Sequence, residues 1–266
     1  SMEHWLSRTE LLLGGEGLEK LAHSRVAVLG LGGVGSAAAE ALVRSGVGHL
    51  MLVDHDTVDL TNLNRQLVAT HSALGMQKTQ VLRERFLDIN PGLELTLREE
   101  FYLPENRDFL YDYHPDFVVD AIDTVTAKLD LATECHNQGI GMITCLGTGN
   151  RIDPSQLVLG DIADTAGCGC PLARIMRREL RRRGIEHTPV LFSREQPMEA
   201  VCAPDSPQGR HSPGSTAFVP PAAGYFLGLS GPVSGAGGQM SGRPVAAAPG
   251  AVGPQSDPSG GWKGAS

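Results

Sequence analysis

Short apolar runs punctuate the first 150 residues, and between them apolar positions fall three and four apart. The runs are Arg25–Leu29, His49–Val53, Leu93–Arg98, Phe117–Ala121 and Gly141–Cys145. Runs of this length, bounded by turn residues, predict strands. The helical spacing is carried by Ser36–Ser45, Lys78–Asn90 and Ala127–Gln138. It recurs in Glu3–Ser24, with Leu11, Leu12, Leu18 and Leu21 as apolar positions. Strand and helix in alternation predict an α/β fold, a doubly wound and mainly parallel sheet with helices on both faces.

From Arg151 to about Leu227 the pattern loses this regularity, and 151–227 reads as a smaller, irregular extension of the same fold. Residues 228–266 differ again. Of these 39 residues, 28 are Gly, Ala, Ser or Pro, too few apolar side chains to offset the entropy of ordering, so a disordered tail is expected. Composition narrows the function classes. The chain has 266 residues, 41% hydrophobic and 20% charged, as a globular protein does. No apolar run approaches the roughly 20 residues of a membrane helix. A net charge of −8 speaks against a generally basic nucleic-acid coat but leaves room for a local patch. Five cysteines, an odd count without paired spacing, suggest a reducing cytoplasm.

The first strand runs into Gly30-Leu-Gly32-Gly33-Val-Gly35-Ser36. Strand, glycine turn and helix start make the Rossmann-like phosphate loop. Gly30 permits the turn, Gly32 and Gly33 let backbone approach a phosphate, and Gly35 lets helix and strand pack closely. Asp54 ends the second strand, where an acid suits ribose hydroxyls. So far an NAD-dependent oxidoreductase fits as well as an ATP enzyme.

The next residues shift the balance. Asp54-His-Asp56-Thr-Val58 is followed by Asn62-Leu-Asn64-Arg65-Gln66, then Lys78, then Asp120-Ala-Ile-Asp123. A triphosphate needs cations against its charge and a carboxylate to hold Mg²⁺, which a dinucleotide does not. With these motifs the chain resembles the ubiquitin-activating-enzyme-like superfamily of ATP-dependent adenylating enzymes, which includes the bacterial ThiF and MoeB proteins. Beyond Cys145 it resembles that superfamily's tRNA threonylcarbamoyladenosine dehydratase branch. That likeness lies in Gly147-Thr-Gly149-Asn-Arg-Ile-Asp153-Pro154, Pro171 to Gly184, Val190–Ser193 and Gly214–Pro220.

The resemblance implies an ATP-binding adenylation domain over 3–150 and a substrate-binding and dimerisation extension over 151–227. It implies that Gly30, Gly32, Gly33 and Gly35 shape the nucleotide loop and that Asp54 holds the ribose hydroxyls. Asn62, Arg65 and Lys78 would face the phosphates, Asp123 would hold Mg²⁺, and Asp56 and Asn64 would complete the nucleotide-binding set. Arg65, Lys78 and Asp123 are the implied catalytic residues. Arg8 sits where relatives place an arginine that enters the neighbouring subunit's ATP site, which implies a homodimer. The implied reaction adenylates the threonylcarbamoyl carboxylate of the modified adenosine at tRNA position 37 and closes a ring with loss of AMP. Three alternatives remain open: adenylation of the C-terminal glycine of a ubiquitin-like sulfur carrier, an NAD-dependent oxidoreductase, and a non-catalytic binding protein.

Pro171–Gly184 carries a net charge of +5, against −13 for the rest. Proline suits its helix start and glycine its end. On that helix Arg174, Arg177, Arg178 and Arg181 share a face suited to tRNA phosphates. The C-x-x-C pairs that the ThiF-like and MoeB-like branches use for zinc are missing, so no zinc is expected. Cys135 and Cys145 read as core. Cys168 and Cys170 form a C-x-C pair that could bind metal but has no second pair to match it, Cys170 reads as a surface-loop thiol, and Cys202 is part of a Pro-rich loop. Cys170 stands before a helix start and is a candidate acceptor of an acyl group or sulfur, with a sulfur-transfer protein as the corresponding partner.

Overall fold

The computed structural model describes residues 3–199, 201 and 213–236. In chain order the elements are α1 (Ser7–His23), β1 (Arg25–Leu29), α2 (Gly35–Arg44), β2 (His49–Val53), α3 (Lys78–Ile89), β3 (Glu94–Arg98) and α4 (Asp108–Asp112). They continue with β4 (Phe117–Asp120), α5 (Val125–Gln138), β5 (Gly141–Cys145), β6 (Leu157–Asp161), α6 (Pro171–Arg182), β7 (Pro189–Ser193) and α7 (Val219–Gly228). The strands form one sheet in the order β3-β2-β1-β4-β5-β7-β6. All pairs are parallel except β6 with β7.

Side chains alternate across the sheet, so β1 feeds two cores. Val26 and Val28 pack with Leu42, Phe86, Val219 and Leu227 on one face. Ala27 and Leu29 pack with Leu110, Leu131, Met176 and Phe192 on the other. The chain order reverses between β1 and β4, which opens a crevice at their carboxyl ends.

Three expectations are corrected. Residues 151–227 are more regular than their sequence suggested, because β6 and β7 extend the central sheet. Helical structure passes Gly228, where a disordered tail was expected, and continues through Leu229–Val233 to Ser234–Ala236. Gly228 and Ala236 are buried there: Gly228 packs on α2, and the carbonyl of Ala236 packs against Gly17 of α1. The rest of the expected tail, 237–266, lies outside the described residues, as does Cys202. On α1, Leu21 is buried, but Leu11 and Leu12 are 85% and 82% exposed. The helix is interrupted at Gly14, whose φ of 74° breaks its spacing.

Candidate nucleotide site

At the crevice the backbone leaves β1 through Gly30, whose φ is 86°. A side chain there would also strike the Ala121 carbonyl at 2.5 Å. Gly35 opens α2 so close to the loop that a Cβ would lie 1.5 Å from the Gly30 carbonyl oxygen. These contacts fold the loop back toward the end of β4. Asp54 completes the turn. Its Oδ2 accepts from the Leu31 N–H and its Oδ1 from the Asp56 N–H, both at 2.7 Å.

The loop borders a cleft of about 480 Å³. Gly30, Gly32, Gly33, Asp54, Asp56, Asn62, Arg65, Lys78 and Asp123 all line it. Of the other expected nucleotide residues, Gly35 lies beneath the loop, and Asn64 stands behind Arg65. Arg8 does not line the cleft of its own chain. Asn62 comes from a short turn that Asp59 caps, accepting from the Thr61 N–H at 2.9 Å. That bond and the Thr61 hydroxyl hold the Asp59 carboxyl below the usual carboxylate range.

Lys78 is only 5% exposed, begins α3, and makes no ion pair among the described residues. Its stem is buried while the residue lines the cleft, so its charge is offered to an anion there. The Arg65 guanidinium donates through Nη1 to the Asn64 Oδ1 at 2.8 Å and the Thr61 carbonyl at 3.0 Å. Asp123 is exposed at the opposite rim. It is not the cap of α5, a position Thr124 takes, and it makes no hydrogen bond among the described residues. A free carboxylate facing a phosphate-sized space suits Mg²⁺, which takes one or two protein carboxylates and fills its other positions with phosphate oxygens and water.

Beneath the floor, Lys128 Nζ lies 3.3 Å from Asp120 Oδ1, with both side chains at or below 1% exposure. Burial pushes the Asp120 carboxyl above its usual range, and Lys128 acts the other way. Cys145 is buried nearby and its thiol is pushed up to about 12. Burial also pushes Cys135 up to about 12. Cys170, expected at the surface, is only 9% exposed, and with Cys168 at 7% it belongs to the core beneath α6.

Sequence reading left out several residues of the cleft: His55, Gln66, Phe101, Tyr102, Thr148, Gly149, Pro213, Ser215 and Pro220. Gln66 had a signal, because it closes the Asn62–Gln66 motif. His55 stands between Asp54 and Asp56, and Thr148, Gly149, Ser215 and Pro220 fall in the stretches that carry the branch resemblance, while Phe101, Tyr102 and Pro213 reach the cleft from segments with no such signal. Phe101 stacks on His55 with ring centroids 3.5 Å apart. Pro220 packs against Gly33.

The α6 helix buries Ala173, Met176 and Leu180 and turns its arginines outward. Arg174, Arg177, Arg178 and Arg181 share one surface recess with Arg182. They are not equivalent. Arg177 is half-buried and donates to the Thr165 hydroxyl at 2.5 Å. Glu179 pairs with Arg178, Arg182 and Arg183 at 3.2, 3.0 and 3.6 Å. Arg174 and Arg181 have no ion pair among the described residues.

The family model for the ThiF family matches residues 6–191. The chain belongs to the ThiF family. Within the family, it is 43% identical over 237 residues to the tRNA threonylcarbamoyladenosine dehydratase of Bacillus subtilis, covering 85% of this chain and 92% of that one. It also matches the crystal structure of the Escherichia coli tRNA threonylcarbamoyladenosine dehydratase in complex with AMP. That match has a TM-score of 0.76 and 33% identity, over 88% of this chain and 92% of that one. The same E. coli enzyme in complex with ATP gives a TM-score of 0.76 at 32% identity, over 89% and 93%. The molybdopterin-synthase adenylyltransferase of E. coli is 32% identical over 160 residues, 60% of this chain. Among the described residues no helix is long and apolar enough to cross a membrane.

Proposed function

We propose that this chain is an ATP-dependent tRNA threonylcarbamoyladenosine dehydratase. The observation that carries the reading is the cleft itself: Lys78, Arg65 and Asp123 meet around the glycine loop, in a chain that matches the B. subtilis dehydratase and the E. coli dehydratase structure over 92% of each.

In this reading Asp54 holds the ribose hydroxyls while anchoring Leu31. The triphosphate lies along the glycine loop toward Asn62, Arg65 and Lys78. Asp123 would hold Mg²⁺, which would supply further positive charge against the phosphates. The threonylcarbamoyl carboxylate attacks the α-phosphorus and pyrophosphate leaves. A carboxylate is a poor electrophile because its leaving group is oxide, and the adenylate replaces oxide with AMP. The nearby nitrogen of the same group then attacks the carbonyl carbon, loses its proton and expels AMP. The net change is loss of one water, which ATP drives. Arg65 and Lys78 offset the repulsion between carboxylate and phosphate. Donors aimed at such developing charge are worth about 2.7–4 kcal/mol each. No enzyme nucleophile is needed, which agrees with the burial of Cys168 and Cys170.

The open side of α6 is the proposed tRNA contact, with Arg174 and Arg181 as its least encumbered arginines. Residues 3–150 form the adenylation core, and 151–227 add the substrate and dimer surfaces. The exposed Leu11 and Leu12, with Trp5 at 51% exposure, support a homodimer in which Arg8 serves the partner's cleft. A tRNA substrate accords with a cytoplasmic setting.

The test is mass spectrometry of the modified nucleoside after incubating the protein with Mg·ATP and tRNA bearing threonylcarbamoyladenosine. ATP-dependent loss of one water, absent in Asp123→Ala, is expected. An unchanged mass, with a known dehydratase converting the same tRNA, overturns the reading. AMP release with a ubiquitin-like carrier would then point to the sulfur-carrier alternative.

A further inference from the structure

Asn150 lies outside the cleft, yet it touches the segments that build one of its walls. It is one of two non-glycine residues with positive φ among the described residues, at 58°. Its N–H donates to the Gly214 carbonyl at 2.8 Å, and its side-chain Oδ1 accepts from the Gly214 N–H at 2.7 Å. Its carbonyl accepts from the Met198 N–H at 2.7 Å. One residue thus ties together Met198 and Gly214, which are 16 positions apart in the sequence.

The tie leads toward the phosphate side of the cleft. Pro213, before Gly214, packs on Gly149, where a Cβ would lie 2.7 Å from the Pro213 Cβ. Ser215, after Gly214, accepts through its carbonyl from Asn64 Nδ2 at 3.0 Å. The Asn64 Oδ1 in turn accepts from Arg65 Nη1 at 2.8 Å. The base of this chain is firm. Arg151 is 4% exposed and donates through Nη1 to the Gly147 and Gly149 carbonyls, both at 3.0 Å.

We infer that Asn150 is a positioning residue for Arg65, acting through Gly214, Ser215 and Asn64. Asn64 has an amide that can turn, and its contact with Ser215 fixes which end faces Arg65. A long arginine at a half-exposed position otherwise samples many rotamers, and holding one of them orients its remaining N–H groups into the cleft. Asparagine fits position 150 because it tolerates the left-handed conformation and also presents an acceptor. Glycine offers only the first of these. The inference rests on the cleft binding ATP, and it goes beyond that reading by assigning a residue that the cleft does not contain.

The experiment is calorimetric titration of Mg·ATP into the full-length protein and its N150G, N150V, N64A and N150G/N64A variants, so no tRNA is needed. N150G keeps the backbone conformation and loses only the side-chain bond. It is expected to weaken ATP binding about fivefold, the scale of one hydrogen bond. N150V, which also disfavours the conformation, weakens it more. N64A weakens it by at least as much as N150G. The deciding result is coupling: the double variant binds no more weakly than N64A alone, because both changes cut the same chain. Independent, multiplying losses would overturn the inference, as would wild-type affinity in N150G. Should N150V fail to fold, N150G and the double variant still decide. Failure of the wild type to bind Mg·ATP would overturn the nucleotide reading, and this inference with it.

Discussion

The Asp54 carboxylate and the Leu31 N–H meet at 2.7 Å across 23 residues of sequence. The acid that would bind ribose is therefore also the brace of the glycine loop, and the two duties separate on substitution. Asp54→Asn retains an acceptor for the Leu31 N–H, whereas Asp54→Ala leaves that N–H without a partner. Hydrogen bonds to a charged group are worth about 1.5–3 kcal/mol. Thermal melting should place Asp54→Ala below Asp54→Asn by several degrees, with ATP affinity reduced at least tenfold in both.

Asp123 behaves differently because it supports nothing. Exposed and unpartnered, it should tolerate Asp123→Ala within about 0.5 kcal/mol of wild-type stability. Turnover should fall by about 10²–10³, the usual loss when one electrostatic group is removed from a transition state. Melting and single-turnover assays on the same preparation check both halves.

The Lys128–Asp120 pair gives a prediction on stability and pH. Lys128→Met leaves a buried carboxylate alone, which costs about 3–5 kcal/mol. Adding Asp120→Asn should recover most of that loss. Burial raises the Asp120 carboxyl in the folded state, so the fold favours its protonated form. That preference is fully present below the unfolded value of 3.8 and is lost as pH rises through the folded value. Without the lysine the raised value rises further. The defect of Lys128→Met should therefore grow from acid toward neutral pH, which denaturant titration at several pH values would reveal.

The arginines of α6 should not act alike on tRNA. Arg174→Ala and Arg181→Ala should each reduce the slope of log affinity against log salt by about one. Arg182→Ala and Arg183→Ala should change it less, since Glu179 already shares their charge. Filter binding across a salt series discriminates the two groups, and equal slopes for all four variants would refute the sorting.

If Arg8 serves the neighbouring subunit, two inactive proteins should complement each other. Arg8→Ala and Asp123→Ala subunits, mixed and allowed to exchange, yield heterodimers with one intact cleft of two. About a quarter of wild-type activity should return, by random pairing of subunits. A mixture as inactive as its parents would place Arg8 in its own chain's chemistry or outside the chemistry altogether.

Much of the first 150 residues was legible in the sequence, for local reasons. β1, β2 and β5 have the bounds their apolar runs suggested: Gly30 follows the first and Asp54 the second, and Gly147 comes one residue after Leu146 beyond the third. The glycine loop, Asp54 and Asp123 were legible because each sits at or shortly after a strand end, whereas Arg65 and Lys78, well beyond β2, were legible only through the motifs that carry the family resemblance. β6 was hidden by its place at the sheet edge, where four of its five residues are only half-buried and the apolar signal is weak. The exposed Leu11 and Leu12 look like core from spacing alone, since exposure depends on what lies opposite. The burial of Cys168 and Cys170 was out of reach because their segment folds under α6 through turns at Gly167 and Gly169, both with positive φ. Ser215 and Asn64 are partners across 151 residues, a distance no local pattern spans.

The contact of Gly33 with Pro220 has a consequence for the order in which the molecule is made. The phosphate loop emerges from the ribosome early, but its far wall is nearly 190 residues downstream. A nascent chain can lay down β1 to β5 and still present an unfinished cavity, open to water and without the brace of α7. The cleft gains that wall only when α7 docks on α2, so a chain cut short before α7 is expected to hold a nucleotide less tightly than the whole.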